Sequence, residues 1–282
     1  MIAITGASGQ LGRLVMAELL QEVQPSQLIA IVRSPEKVAD FKRRGVEIRQ
    51  GDYARPETLR PALQGVEKLL LISSSEVGQR SVQHKNVILA AKEAGVKRVA
   101  YTSLLHADTS PLSLRLEHLD TEKALLDSGL ATVILRNGWY TENYTGSIAA
   151  ALEHGVIAGC SGEGRISSAS RADYAAAAAK VLLTDNQAGK VYELAGDAGY
   201  SLAEFAGELA KQSGKAVQYK NLSQNEYLEV LKGAGLPEPI AQMIADSSAG
   251  AAQGGLFDES GQLSRLIGRP TTPVADTIQA AL

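Results

Sequence analysis

Short apolar runs alternate along most of the chain with longer stretches in which apolar residues recur every three or four positions. A run such as Leu28–Val32 is apolar throughout, which is typical of a strand in a parallel sheet covered on both faces. We expect strands at residues 2–5, 28–32, 46–49, 69–72, 98–102, 131–135 and 191–195. Between them we expect helices that include residues 11–19, 36–44, 56–63, 81–94, 114–128 and 171–183. This alternation predicts an α/β fold with a doubly wound parallel sheet.

The regular alternation loosens beyond about residue 145. We therefore expect a main domain made of residues 1–145 and about 170–195. The remaining residues, about 146–169 and 196–282, are expected to form a smaller, mostly helical C-terminal lobe.

Local patterns mark helix starts in the predicted lobe. Ser201–Glu204 and Ser223–Glu226 both have the capping-box pattern, in which a serine and a glutamate three residues later satisfy each other's backbone N–H groups. Residues 249–255 are rich in small side chains, which predicts a mobile segment or a close-packing turn.

A glycine-rich turn follows the first predicted strand. Gly6 permits a tight strand-to-helix turn, Gly9 lets backbone N–H groups approach a pyrophosphate, and Gly12 allows close packing of helix on strand. The following helix offers unpaired N–H groups and a partial positive charge to phosphates. The predicted cofactor contacts are Gly6, Ala7, Ser8, Gly9, Gln10, Leu11 and Gly12. A ligand-free turn needs much the same residues, so the motif alone is a weak signal.

Residues at the ends of later strands indicate which cofactor binds. Sites selective for NAD place an acidic residue about 20 positions after the glycines, whereas this chain has Arg33. A fixed cation suits a 2′-phosphate and favours NADP over NAD, although a solvated arginine is the alternative. Asp52 is expected either to bind the adenine amino group or to cap the next helix. Ser73, Ser74 and Ser75 follow the fourth strand, where small side chains would admit a ribose and a nicotinamide, or form a serine-rich turn.

The segment Arg136–Tyr144 follows the sixth predicted strand and contains the only tryptophan of the chain. Its planar side chains make this segment the best candidate for binding a nicotinamide or an aromatic substrate. The residues expected to line this part of the cofactor site are Gly138, Trp139, Tyr140 and Asn143. An aromatic plug that joins two domains is the alternative for Trp139.

Composition narrows the classes of binding partner that are expected. The 282 residues are 45% hydrophobic and carry a net charge of −3, which gives no reason to expect nucleic acid as the main partner. The first strand begins at Met1 and no apolar run is long enough to cross a membrane, so we expect a cytoplasmic protein. Cys160 is the only cysteine and is expected to pack as a small residue. The four histidines show no metal-ligand spacing, and no metal is expected.

Taken with Arg33 and the serines at 73–75, the glycine loop and the segment Arg136–Tyr140 resemble the NmrA-like branch of the atypical short-chain dehydrogenases. Within that branch the chain is most similar to the bacterial NADPH:quinone oxidoreductases of the QorB type. The resemblance covers essentially the whole chain, including Leu266–Pro270. It implies a Rossmann-type domain, a small C-terminal lobe, a cleft between them, NADPH as the cofactor, and neither flavin nor metal.

One departure from the wider family limits the chemistry. Ordinary short-chain dehydrogenases use a Tyr-x-x-x-Lys pair as general acid, but aligning the lysine on Lys123 puts Leu119 at the tyrosine position. Hydride addition to an isolated ketone gives a basic alkoxide that needs a nearby acid. A quinone instead yields a hydroquinone anion whose parent acid resembles a phenol, with a pKa of about 10. The missing tyrosine is compatible with direct hydride transfer to a quinone and with an NADP(H)-binding redox sensor, and it weakens a sugar-nucleotide epimerase.

For the quinone reductase, we expect Tyr140 and Asn143 to contact the nicotinamide or the quinone. Lys123 is expected to bind ribose or assist proton transfer, with a solvated helix lysine as the alternative. The expected partner is a small-molecule quinone. A homodimer or a regulatory protein partner stays open.

Overall fold

A computed structural model describes all 282 residues. Seven strands form one sheet in the order β3-β2-β1-β4-β5-β6-β8, and β7 and β9 form a separate two-stranded parallel sheet. The strands are β1 Ile2–Thr5, β2 Leu28–Val32, β3 Glu47–Gln50, β4 Lys68–Leu71, β5 Arg98–Leu104, β6 Ala131–Asn137, β7 Val156–Gly159, β8 Val191–Leu194 and β9 Gln218–Asn221.

Helices connect the strands of the large sheet and make up most of the C-terminal region. They are α1 Gln10–Glu22, α2 Ala39–Arg43, α3 Pro56–Ala62, α4 Arg80–Glu93, α5 Arg115–Ser128, α6 Glu142–Thr145, α7 Ile148–His154, α8 Arg171–Leu183, α9 Leu202–Ser213, α10 Gln224–Gly233, α11 Glu238–Ala252, α12 Gln262–Ile267 and α13 Val274–Ala281. None of these helices is both long enough and apolar enough to cross a membrane.

The order of the large sheet reverses at β1. The chain proceeds from β1 to β2 and β3 on one side and then crosses to β4 and β5 on the other, with parallel pairing throughout these strands. All five residues of β2 are buried, as expected for a strand with helices on both faces. The predicted doubly wound parallel sheet is therefore confirmed, and β1 stands at the point where such sheets bind ligands.

The seven predicted strands are all present, with ends shifted by at most about two residues. Both capping boxes are confirmed: Ser201 accepts a hydrogen bond from Glu204 N, and Ser223 from Glu226 N. The predicted helix at 36–44 is instead a 3₁₀ turn, Pro35–Val38, followed by the five-residue α2. A stretch this short and polar makes a weak helix on its own, because helix nucleation is unfavourable.

The small-residue stretch at 249–255 begins at the end of α11 and continues as a turn after Ala252. Its glycines favour the alternative of a close-packing turn. A Cβ atom added at Gly250 or at Gly255 would lie 2.6 Å from Leu112 Cδ1. These glycines let the backbone approach the Leu112 side chain.

The chain divides into two compact units. The first comprises residues 1–104, 116–136 and 174–192, and the second comprises 105–115, 137–173 and 193–282. This division differs from the predicted domains most clearly at 105–115 and 137–145, which belong to the second unit. Backbone hydrogen bonds give the reason, because Leu105 N donates to Asn137 O and Gly138 N donates to Leu194 O.

Candidate functional site

A cavity of about 240 Å³ lies in the first unit, at the carboxyl ends of β1, β2 and β4. Its lining residues are Gly6, Ser8, Gly9, Ile31, Val32, Arg33, Gly51, Asp52, Tyr53, Ile72, Ser73, Ser74, Ser75, Glu76 and Gln83. Complete small-molecule sites usually occupy about 300–1,000 Å³, so this cavity fits part of a dinucleotide.

The glycine loop forms one wall of the cavity. Gly6 adopts a left-handed φ of +63°, a conformation that favours glycine. A Cβ atom on Gly12 would lie 2.4 Å from the Gly6 carbonyl oxygen, so only glycine lets α1 start this close to β1. Gly9 is the N-cap of α1, and no side chain caps its first turn. The N–H groups of that turn are therefore available to an anion.

The other predicted residues of the loop have different places. Ser8 lines the cavity and Gln10 is exposed as the first residue of α1. Ala7 and Leu11 are buried, so their side chains pack in the core. Any contact of these two residues with a phosphate would involve the backbone.

Arg33 stands at the edge of the cavity, as the sequence predicts. Its Nη1 lies 2.8 Å from Glu76 Oε1, while its side chain remains 65% exposed. Gln83 Nε2 donates to the other carboxylate oxygen of Glu76 at 2.7 Å. Sequence reasoning missed Glu76 and Gln83, which follow a different strand from Arg33.

Asp52 and Tyr53 line the cavity just after the end of β3. Asp52 Oδ1 accepts a hydrogen bond from Ala54 N at 3.0 Å, whereas the N-cap of α3 is Arg55, so the capping alternative for Asp52 is wrong. A contact between Asp52 and adenine stays a prediction. Tyr53, which sequence reasoning missed, has its hydroxyl 2.5 Å from Thr5 Oγ1 and 2.9 Å from Ile72 O. Burial raises the pKa of Tyr53, so its phenol stays protonated.

Buried side chains hold the backbone of Ser73–Ser75, here called the serine loop. Ser73 N donates to Thr102 Oγ1 at 2.8 Å, and Ser74 N donates to His84 Nε2 at 2.9 Å. Because a backbone N–H can only donate, His84 Nε2 is unprotonated and the ring proton is on Nδ1, which lies 2.9 Å from Thr121 Oγ1. Burial lowers the pKa of His84 to about 3, with Arg80 adding to the effect. The imidazole is neutral and holds the serine loop in one conformation.

Lys123 is not among the residues that line the cavity. It lies on α5 with 72% of its side chain exposed, and its Nζ is 2.5 Å from Asp127 Oδ2. The hydrogen bond that Lys123 donates to Asp127 raises the pKa of Lys123. Leu119, one turn earlier, is half-buried. This geometry favours the alternative of a solvated helix lysine.

In the second unit, Arg171 contacts several residues of the segment Arg136–Tyr144. Its guanidinium lies 4.6 Å from the ring centroid of Tyr140, and its Nη2 donates to Asn143 Oδ1 at 2.9 Å. The Glu142 carboxylate accepts the Arg171 backbone N–H at 2.9 Å. Tyr140 and Asn143 thus belong to one cluster, as the sequence suggests, and burial raises the pKa of Tyr140. Sequence reasoning missed the part that Arg171 plays, because nothing local links it to residues so far away along the chain.

The neighbours of Tyr140 are held through the backbone. Gly138 is buried and its N–H donates to Leu194 O at 2.7 Å, while Trp139 O accepts from Ala169 N at 3.2 Å. Asn137, at the end of β6, has a buried Oδ1 with no hydrogen-bond partner. Such an atom is a candidate acceptor for a ligand N–H or O–H group.

Cys160, also in the second unit, behaves as predicted for a packing residue. It is half-buried and its Sγ lies 3.4 Å from Ala245 O. Burial raises the pKa of the thiol, which makes it a poor nucleophile.

Comparison with known proteins identifies the family of the chain. Residues 6–185 match the NAD(P)H-binding family, and the chain belongs to that family. It is 59% identical over 278 residues to Quinone oxidoreductase 2 of Escherichia coli K12, covering 99% of this chain and 97% of the relative. The resemblance inferred from the sequence motifs is thereby confirmed.

Solved structures show the same relationship. The crystal structure of the NADPH-dependent quinone oxidoreductase QOR2 of Escherichia coli, complexed with NADPH, is similar with a TM-score of 0.97 over 99% of both chains. The triphenylmethane reductase of Citrobacter sp., complexed with NADP(H), is 40% identical with a TM-score of 0.96 and covers 100% of both chains. The fold seen here is therefore shared by an NADPH-dependent quinone oxidoreductase and a triphenylmethane reductase.

Proposed function

We propose that the protein is an NADPH-dependent quinone oxidoreductase that transfers hydride directly to a quinone, without flavin or metal. The observation that carries this proposal is full-length similarity to a quinone oxidoreductase, at 59% identity, combined with an arginine beside the glycine-loop cavity. Similarity of this extent includes both units rather than the nucleotide-binding half alone.

Residues of the first unit fit the cofactor. The uncapped N-terminus of α1 binds the pyrophosphate, and Arg33 binds the 2′-phosphate. Ser73–Ser75 leave room for a ribose at the tip of β4. When bound, NADPH supplies a hydride from its nicotinamide C4. The protein contributes orientation and proximity, which together lower the barrier.

On the acceptor side, Tyr140 and Asn143 contact the nicotinamide or the quinone. Arg171 places both side chains, as its contacts with each indicate. No strong acid is needed, because the hydroquinone anion is the base of a phenol-like acid with a pKa of about 10. The raised pKa of Tyr140 suits a hydrogen-bond donor better than a general acid. We assign Lys123 to the solvated surface of α5 rather than to the ribose.

The rival function is an NADP(H)-binding redox sensor with little or no catalysis. It predicts that partner binding differs between NADP and NADPH, and it fits the same cofactor cavity. A regulatory protein or a second copy of the chain as partner, and a cytoplasmic location, stay predictions.

Steady-state kinetics separate the two functions. Purified protein, shown to lack flavin absorbance, should consume NADPH faster when a simple benzoquinone or naphthoquinone is added. Parallel assays with NADH should be slower at equal concentration. A protein that binds NADPH by calorimetry yet turns over none of several quinones would be a sensor.

A further inference from the structure

Arg33 and Glu76 form an ion pair at the lining of the cofactor cavity. Arg33 follows β2 and Glu76 follows β4, which flank β1 on either side. The two side chains therefore join segments that follow strands on opposite sides of β1. Both residues line the cavity. The guanidinium predicted to bind the 2′-phosphate is therefore occupied by a carboxylate of the same chain.

Glu76 is held in this position by two further contacts. Gln83 Nε2 donates to Glu76 Oε2 at 2.7 Å, leaving Oε1 for Arg33 at 2.8 Å. The Glu76 backbone N–H donates to Ser74 Oγ at 3.1 Å. Gln83 is buried in α4, so its amide is a fixed anchor for the carboxylate. Glu76 consequently stays beside the cavity even if Arg33 turns away from it.

We propose that Glu76 is a specificity-determining residue that competes with the 2′-phosphate of NADPH for Arg33. The inference rests on the proposed function, in that it assumes NADPH is the cofactor. Arg33 is 65% exposed and Glu76 is 43% exposed, and exposed ion pairs are weak. A phosphate with nearly two negative charges displaces the single charge of a carboxylate.

Displacement leaves two anions close together. Because Gln83 retains the carboxylate, Glu76 repels the incoming 2′-phosphate after Arg33 has changed partner. NADH and other ligands with a 2′-hydroxyl carry no charge there and meet no such repulsion. Glu76 therefore lowers the preference for phosphorylated cofactor below what Arg33 alone would give.

Calorimetric titration of the full-length protein with two nucleotides tests this competition. Adenosine 2′,5′-bisphosphate carries the 2′-phosphate and adenosine 5′-monophosphate lacks it. Glu76→Gln should tighten binding of the bisphosphate by about two- to fivefold, the range expected for an exposed ion pair, and leave the monophosphate unchanged. Glu76→Asp keeps the charge and should bind the bisphosphate like the unmodified protein.

Glu36→Gln is the matched control, because it removes a negative charge from an exposed residue just after Arg33 that takes part in no ion pair. It should change neither affinity. If the unmodified protein prefers the bisphosphate but Glu76→Gln binds it equally or more weakly, the competition is refuted while the proposed cofactor stands. If the unmodified protein binds both nucleotides equally, Arg33 has no role toward the 2′-phosphate, and both the competition and the preference for NADPH are refuted, whereas quinone reduction is tested separately by the kinetics.

Discussion

If the proposed function is right, the Arg33 side chain should set the choice between phosphorylated and unphosphorylated cofactor. Arg33→Ala should weaken NADPH binding by about 1.5–3 kcal/mol, the range for hydrogen bonds to a charged group, and change NADH binding little. The loss should fall near the lower limit, because Glu76 already neutralises Arg33 in the free protein. Calorimetric affinities for both cofactors measure the effect. Equal losses for NADPH and NADH would contradict a contact with the 2′-phosphate.

Tyr140 tests how much acid catalysis the reaction needs. Tyr140→Phe removes the hydroxyl but keeps the ring that stacks against Arg171. We expect kcat to fall by less than about tenfold, since loss of a true general acid typically decreases the rate by 10²–10⁴. Steady-state rates with one quinone across neutral pH provide the measurement. A hundredfold loss would instead identify Tyr140 as the proton donor.

Gly12 and Gly207 form a matched pair of helical glycines. A Cβ atom on Gly12 would strike the Gly6 carbonyl oxygen at 2.4 Å, whereas one on Gly207 in α9 meets nothing within 4 Å. Gly207→Ala should raise the free energy of unfolding by about 0.5–1 kcal/mol through helix propensity. Gly12→Ala should lower it by about 1–3 kcal/mol and weaken NADPH binding. Urea unfolding of both variants checks the contrast, and equal effects would contradict it.

Single residues of the site were predictable where a motif fixes their position. The glycine loop, Arg33, Asp52 and the serines at 73–75 all reach one cavity, because each lies at the loop or end of a strand. Glu76 and Arg171 could not be assigned partners, since their contacts join segments 43 and 28 positions apart. Such pairings depend on tertiary packing, which one sequence does not display.

At the level of elements, α4 and α5 bury a polar network beneath the serine loop. His84 contacts Thr121, and the Tyr101 hydroxyl lies 2.7 Å from His118 Nδ1. Burial lowers the pKa of both His84 and His118 to about 3. The sequence predicted both helices within a residue or so but not this network, because a histidine on a helix is equally compatible with solvent.

These histidines predict how stability depends on pH. The folded protein keeps both rings neutral, while in the unfolded chain they bind protons near pH 6.5. The stabilisation is therefore complete above about pH 6.5 and is lost as the pH falls toward 3. As the pH falls from 6.5 to 5, each histidine should lower the free energy of unfolding by about 2 kcal/mol, at about 1.4 kcal/mol per pH unit.

Urea unfolding at these two pH values measures the slope. His84→Asn removes one of the two titrating rings and should reduce the slope by about half. His154→Asn, at an exposed position, should leave it unchanged. If His84→Asn keeps the full slope, other groups are responsible for the acid sensitivity.

For the molecule as a whole, the fold was more predictable than the division into units. Continuous apolar runs identify buried strands directly, so the sheet followed from the sequence. The boundaries of the units depend on which backbone segments pair, such as Leu105 with Asn137. Neither partner carries a sequence signal for that hydrogen bond, because any residue except proline supplies the same N–H and C=O groups.

Cofactor binding should stabilise the folded protein by mass action. NADPH at 100 times its dissociation constant should add about 2.7 kcal/mol to the free energy of unfolding, provided that the unfolded chain does not bind it. For a chain of this size the unfolding midpoint should rise by about 5 °C or more. NADH at the same concentration should give a smaller rise, because it lacks the 2′-phosphate for Arg33.

Thermal unfolding of the unmodified protein and of Arg33→Ala, each with both cofactors, checks this linkage. The variant should lose most of the difference between NADPH and NADH while keeping the smaller rise that both cofactors share. That shared part should come from the pyrophosphate, which the proposal assigns to the uncapped start of α1 rather than to Arg33. Equal midpoints for the two cofactors in the unmodified protein would show that the 2′-phosphate adds nothing to binding.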